Sequence, residues 1–401
     1  MKLSSADAVV IGGGLIGTAS AYYLAKMGLS VELVEKKDIA SETSSGCADS
    51  LALQTKAPGP KLTLARESVR LYSGLSEELG YDLEFRNEGA MIAAMNEAEV
   101  EYVSSLVERL GAADVPVDLL DATDAREIQP ALSPGVLAAS YCSLDCHINP
   151  LRVSAGFVAG AERLGVRVRR GTEVTGLVVE SGRIAGVETS QGRIDTPIVV
   201  DAAGVWSPAI ARMAGIELSV IPRKGQILVT EALPPIVRGR VFTARYLMSK
   251  QSKAEGGRLP GYSSGMILGQ QANGNFLVGS TREYAEMDTR STYGAIVDLA
   301  SQAVELLPRL GNVHMIRAFA GLRPATPDGL PVIKRYSEVE GFIVATGHEG
   351  DGICLAPVTG AIVAEIASGR IDDYHQFVPP VAAGREPGGP AGPPAPTSSD
   401  V

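Results

Sequence analysis

Six consecutive residues constrain this chain more than any others. Gly12-Gly13-Gly14-Leu15-Ile16-Gly17 reads G-x-G-x-x-G. It follows the apolar run Ala8–Ile11 and opens a stretch, Leu15–Met27, whose apolar residues recur with helical spacing. Gly28 stands where a helix ends, and Val31–Val34 is a second strand. In such a strand–turn–helix–strand unit Gly12 permits the tight turn, Gly14 lets a pyrophosphate approach the backbone, and Gly17 lets the helix sit close to the sheet. The free N–H groups at Leu15 and Ile16 and the positive end of the helix dipole attract phosphate. Glu35 ends the second strand, where a carboxylate accepts hydrogen bonds from an adenosine ribose; Lys36 beside it is assigned to the same end. The acid disfavours the 2′-phosphate of NADP and leaves NAD or FAD.

Composition removes several other classes. The formal charge is −10 and the pI is near 5.1, which argues against nucleic acid as a partner. No uninterrupted apolar run reaches the roughly 18 residues of a membrane-spanning helix, and the N-terminus lacks a signal-peptide pattern. Cysteine is sparse, at Cys47, Cys142, Cys146 and Cys354, which fits a reducing, cytoplasmic setting. Cys142, Cys146 and His147 spell C-x3-C-H, but a closed zinc site needs a fourth ligand, so no metal is expected. What composition leaves unexplained is glycine, 45 of 401 residues.

Along the chain the expected pattern is an α/β lobe interrupted twice. Residues 1–84, 150–220 and 316–378 are assigned to a discontinuous Rossmann-like domain. Its elements include a Ser/Thr/Gly-rich loop at Ile39–Ser50, a helix around Leu62–Glu78 and a helix at Leu151–Leu164. Strands follow at Val166–Arg169, Val174–Val179 and Ile198–Asp201, with a last strand–turn–helix between Gly341 and Ala367. Residues 85–149 and 221–315 are assigned to an α+β second domain with an antiparallel sheet. It carries a strand at Ala90–Ala94, a helix at Ala98–Leu110 and alternating runs at Gln226–Thr230, Met266–Gln270 and Phe276–Ser280. Residues 248–265 read as a polar loop or lid, and 379–401 as a disordered Pro/Gly-rich tail.

Four further segments, in order with the first, resemble the motifs of the FAD-dependent amine oxidoreductases, the superfamily of D-amino-acid oxidase, glycine oxidase and sarcosine oxidase. The loop Thr43-Ser44-Ser45-Gly46-Cys47-Ala48-Asp49 resembles the one that runs under the pyrophosphate and past the flavin. Ala202-Ala203-Gly204-Val205-Trp206 resembles the family's "AAG-x-W", and Gly321-Leu322-Arg323-Pro324 its "G-x-R-P". Gly347-His348-Glu349-Gly350-Asp351-Gly352-Ile353 resembles its last turn and helix, whose N-terminus faces the flavin pyrimidine ring. The resemblance also puts the Val174 backbone near the adenine. There is no second G-x-G-x-x-G, so electrons are expected from an organic substrate.

The resemblance implies that Arg323 clamps a substrate carboxylate, as a planar guanidinium does, and that His348 meets the flavin or substrate. These two are the candidate catalytic residues. Three departures stand out. The second arginine that glycine oxidases carry in the last turn is Gly350 here; a substrate-domain tyrosine is replaced near Met266, with Tyr246 and Tyr262 close by. The strand holding an oxygen-activating lysine in sarcosine oxidases reads Phe276-Leu277-Val278. Covalent attachment of flavin at Cys47 is left open. The reading implied is FAD-dependent oxidation of a C–N bond in an amino acid or secondary amine of proline, hydroxyproline, glycine or opine type. "GHEGDGI" and "LQTKAPGP" look most like the flavoprotein subunits of bacterial dye-linked dehydrogenase complexes, so hetero-oligomeric partners with further flavin or iron–sulfur centres are expected. The alternatives are a free-standing, peroxide-producing oxidase and a flavin-binding protein without turnover.

Overall fold

The computed structural model describes residues 2–251 and 262–377. The expected tail, 379–401, and much of the expected lid lie outside the described residues.

Three sheets carry the fold, beside a two-stranded pair of Ser50–Leu51 with Cys146–His147. The first has six strands in the order Val332–Arg335, Phe342–Thr346, Val199–Asp201, Ala8–Ile11, Val31–Val34 and Arg167–Arg169. All neighbours are parallel except the first pair. Ala8–Ile11 and Val31–Val34 are buried at every residue, as strands are when both faces of a parallel sheet are covered; the one charge among them, Glu32, is paired with Arg167 and Arg169. The helices Leu15–Lys26, Pro150–Arg163 and Gly352–Ala367 contribute buried residues to the core against this sheet. The segment Glu349–Ala367 is long and apolar enough to cross a membrane by length and composition, yet 72% of it is buried inside the fold.

The second sheet has eight strands, in the order Met315–Ala325, Ile221–Ala232, Asn275–Tyr284, Tyr262–Gln270, Arg240–Thr243, Ala90–Ala94, Ala138–Cys142 and Asp118–Asp121. It unites the segments near 90–142 and 221–284, which the sequence places together. Its edge strand reaches Ala325, so the sheet runs past the expected boundary at 315 and carries Arg323 with it. The third sheet goes beyond the sequence reading, which leaves Val174–Val179 as a strand without a partner. Val174–Glu180 pairs in a hairpin with Arg183–Thr189, not with the parallel sheet, and Gly192–Asp195 and Lys2–Ser5 extend that hairpin. The turn holds Ser181 at φ +52° and Gly182 at φ +78°, the two positive φ values that a tight hairpin requires. The stretch 248–265 also differs: the helix Ala244–Gln251 takes its beginning and the strand Tyr262–Gln270 its end.

Candidate active site

One elongated cavity lies between the parallel and the eight-stranded sheets. At its first end, Gly12, Gly14, Leu15 and Ile16 form a wall with Glu35, Lys36, Val174, Ala203, Gly204 and Trp206. Gly12 holds φ +107°, and a Cβ there would lie 2.6 Å from the Ala202 carbonyl oxygen. A Cβ on Gly17 would lie 1.8 Å from the Gly12 carbonyl oxygen. Gly17 is thus a packing glycine under the turn and does not line the cavity. The Gly13 and Lys37 N–H groups donate to the Glu35 carboxylate, each at 2.7 Å, which fixes it at the cavity wall. Across from it, the Lys36 ammonium lies 3.7 Å from the Trp206 ring centroid.

The loop after the second strand passes beneath. Thr43, Ser44, Cys47 and Ala48 line the cavity, and Ser44 Oγ accepts from the Leu15 N–H at 3.0 Å. Besides Gly17, and Gly347 at the far end, three more sequence candidates, Ser45, Asp49 and Gly321, do not line it. Ser45 is exposed and donates to the Glu42 carbonyl. Asp49 points away, into the second lobe, where it pairs with the buried Arg240 and accepts from Gln271 at 2.5 Å. Burial raises the Asp49 pKa, but Arg240 outweighs it and holds the carboxyl below its usual range. Gly321 packs on Gly46, where a Cβ would lie 2.8 Å from the Gly46 carbonyl oxygen. Burial pushes the Cys47 thiol up to about 12, so it is a neutral thiol and a weak nucleophile.

At the other end, His348, Gly350, Asp351, Gly352 and Ile353 line the cavity at the start of the Gly352–Ala367 helix. Gly347, at φ +77°, makes the turn before it and stays out of the lining. His348 is buried and Nε2 shares a hydrogen bond of 3.0 Å with Thr359 Oγ1. Burial, reinforced by Lys61, lowers its pKa to about 3, so the imidazole is neutral. Lys56, which sequence reasoning passed over, supplies a buried ammonium to the same wall. Its Nζ lies 3.0 Å from Asp351 Oδ1, and Lys61 Nζ lies 3.3 Å from Oδ2. Burial disfavours the Lys56 charge, but Asp351 more than offsets it. The strand where a lysine was looked for instead buries Phe276 and Val278 in the apolar core. Met266 is buried there too, while its neighbour Ile267 faces the cavity with Phe242 and Tyr246.

Arg323 lines this end. Its Nη1 donates to the Thr281 carbonyl at 3.1 Å and its Nη2 to Ser280 Oγ at 2.7 Å. Two more guanidiniums stand near it: Arg223 Nη1 at 3.4 Å and Arg282 Nε at 3.9 Å from Glu349 Oε1. Burial first, then Arg282 and Arg223, press the Arg323 pKa down against the pull of Glu349. Glu349 lines the cavity at φ +50°, a left-handed conformation that costs a non-glycine residue on the order of 1–3 kcal/mol. Only the pairing of the three strands could have revealed this cluster.

His147, at the metal-like spacing, is engaged by Glu88 and by Arg240, each at 3.0 Å.

The arrangement fits an FAD. Two helices direct their N-termini at one cavity, at Gly14–Ile16 and at Gly350–Ile353, and neither N-cap residue caps its helix with its own side chain. Such ends attract a pyrophosphate and a flavin ring that gains negative charge. The family model for FAD dependent oxidoreductases matches residues 7–366. Hydrogen cyanide synthase subunit HcnC of Pseudomonas aeruginosa is 29% identical over 399 residues, covering 89% of this chain and 91% of its own. Glycine oxidase of Bacillus licheniformis is 30% identical over 370 residues, covering 91% and 93%. The crystal structure of L-proline dehydrogenase from P. horikoshii superposes with a TM-score of 0.83 at 28% identity, covering 92% and 94%. The chain therefore belongs to the FAD-dependent oxidoreductases of the D-amino-acid oxidase family, as an enzyme that oxidises an amine or amino acid.

Proposed function

We propose that this enzyme oxidises the C–N bond of an amino acid or secondary amine held through its carboxylate by Arg323. The observation that carries this reading is a guanidinium at the cavity wall, oriented by Ser280 and Thr281, whose remaining donors have no protein carboxylate within ion-pair distance among the described residues. When bound, FAD supplies the acceptor, at flavin N5, for the hydride that leaves the substrate carbon. A bidentate guanidinium fixes two substrate oxygens and so aims the adjacent C–H. Neutral His348, tied to Thr359, adds no charge beside the substrate nitrogen, which must itself be neutral to form the imine that water hydrolyses. Lys56, Lys61 and the helix N-terminus favour negative charge gathering at that end.

The expected electron acceptor is a partner subunit or a dye-type molecule, a reading supported by the similarity to a protein named as a synthase subunit. The similarity to glycine oxidases supports a second reading, a free-standing oxidase, and the buried Lys56 ammonium beside the site is a feature that such an oxidase can use. The two are separated by offering the purified chain oxygen or an artificial dye: rapid peroxide formation without partners would overturn the first. The shared part is tested by adding proline, hydroxyproline, glycine, sarcosine and opines without oxygen. One of them should bleach the flavin, and Arg323→Ala should slow that bleaching by about a hundredfold or more while FAD stays bound. Tight FAD binding with no bleaching by any of them would leave a flavin-binding protein without turnover.

A further inference from the structure

The strand register gathers arginines on one face of the eight-stranded sheet. Arg223 stands directly opposite Arg323 on one neighbouring strand and opposite Tyr284 on the other. Gly225 stands opposite Gly321. Since side chains alternate along a strand, Arg223, Gly225, Arg282, Tyr284, Gly321 and Arg323 share one face of the sheet; on it Arg323, with Ser280, lines the cavity, and Arg223 stands beside that lining as Arg323's cross-strand neighbour. The glycine at 225 hollows this face: a Cβ there would lie 2.3 Å from Arg323 Nη2, so the guanidinium lies flat where a side chain would otherwise stand.

Among the described residues, guanidiniums outnumber carboxylates on this face. Arg223 and Arg282 both lie within ion-pair distance of the Glu349 carboxylate. Arg323 has no carboxylate within ion-pair distance among the described residues. Arg223 is 9% exposed and its Nε is buried with no hydrogen-bond acceptor. A buried guanidinium with an unused donor is costly unless an anion arrives. One substrate carboxylate answers Arg323 and leaves Arg223 as it was.

We infer that the substrate carries two carboxylates: an amino acid or secondary amine with one carboxylate on Arg323 and the second drawn to its cross-strand neighbour Arg223. This rests on the amine-oxidation reading above and narrows it to amino dicarboxylates over glycine, proline or sarcosine.

The test uses the FAD-loaded protein and two inert thioethers, (methylthio)acetate with one carboxylate and thiodiglycolate with two. Each is titrated while the flavin absorbance is followed, which reports binding without turnover. Thiodiglycolate is expected to bind about tenfold or more tightly, the value of one further charge-assisted pair. In Arg223→Gln that ratio should fall toward one, with FAD content unchanged. In parallel, N-(carboxymethyl)alanine should bleach the flavin anaerobically at lower concentration than sarcosine. Equal affinities of the two thioethers for the unmodified protein would overturn the inference, and that comparison needs no variant. Equal thioether affinities together with bleaching by sarcosine or proline would reject the second carboxylate and keep amine oxidation. Failure of every amine to bleach the flavin would reject both.

Discussion

The nucleotide end of the cavity is built from backbone, and the substrate end from buried charge. At the first, Gly12, Gly14 and Gly17 bring chain against chain, and the acid at the ribose position, Glu35, is held by two backbone N–H groups, Gly13 of the glycine turn and Lys37 of its own loop. At the second, Arg223 and Arg282 meet Glu349, a residue with a strained backbone, and Arg323 stands beside them on a third strand without a carboxylate of its own among the described residues. Shape tolerates no added atom; charge tolerates substitution when the balance is kept. The first end thus suits a cofactor shared across a family, and the second a substrate that differs among its members.

The comparison can be broken most forcefully with Gly17→Val. The new side chain meets the Gly12 carbonyl in the turn, and we expect loss of FAD and of the folded protein, by flavin content and circular dichroism. A folded, FAD-bearing variant would show that the turn is not held by shape. Asp49→Leu comes next. It strands the buried Arg240, and removing one partner of such a pair costs about 3–5 kcal/mol. The melting temperature should drop sharply, whereas FAD affinity measured below melting should change little, in contrast to what a flavin contact at Asp49 would give.

A third measurement concerns Asp201, on the strand between the two glycine-rich segments. Burial raises its pKa to about 7, and its Oδ2 has no hydrogen-bond partner. The folded protein keeps this proton to about pH 7 while the unfolded chain releases it near pH 4. Stability should therefore fall as pH rises through that interval, by up to a few kcal/mol at about 1.4 per unit, and level off above it. Asp201→Asn should remove that slope in melting temperature against pH; an unchanged slope would assign it elsewhere. The smallest effect is expected for Glu35→Gln. FAD should bind about tenfold more weakly, the value of one charge-assisted hydrogen bond, with the affinity ratio of the two thioethers unaltered. A change in that ratio would mean that the two ends are coupled.

The legible parts of the sequence were local. The helices expected at Leu62–Glu78 and Leu151–Leu164 are found at Pro60–Glu78 and Pro150–Arg163, each starting at a proline that suits the first helical position. The strand Ala90–Ala94 follows from a short apolar run between Gly89 and Asn96. The hairpin at 174–189 was missed because its signal was a Ser-Gly pair in a polar setting, and the same strand could equally have fed a parallel sheet. Asp49 faces the second lobe because its partner there, the buried Arg240, is almost two hundred residues away in the chain and left no local trace. Lys56 was passed over because a lysine in a Pro/Gly-rich stretch reads as solvated, and burial at that point depends on Asp351, almost three hundred residues away.

By itself the sequence determined the cofactor and the family. A glycine turn between strand and helix, an acid at the strand end and four ordered small-residue motifs are local demands of one dinucleotide on backbone, and local demands leave local traces. The tertiary structure alone decided what faces the substrate. Arg223, Arg282, Arg323 and Glu349 lie on four segments, and their charges act together only because three strands pair in register and one turn closes over them.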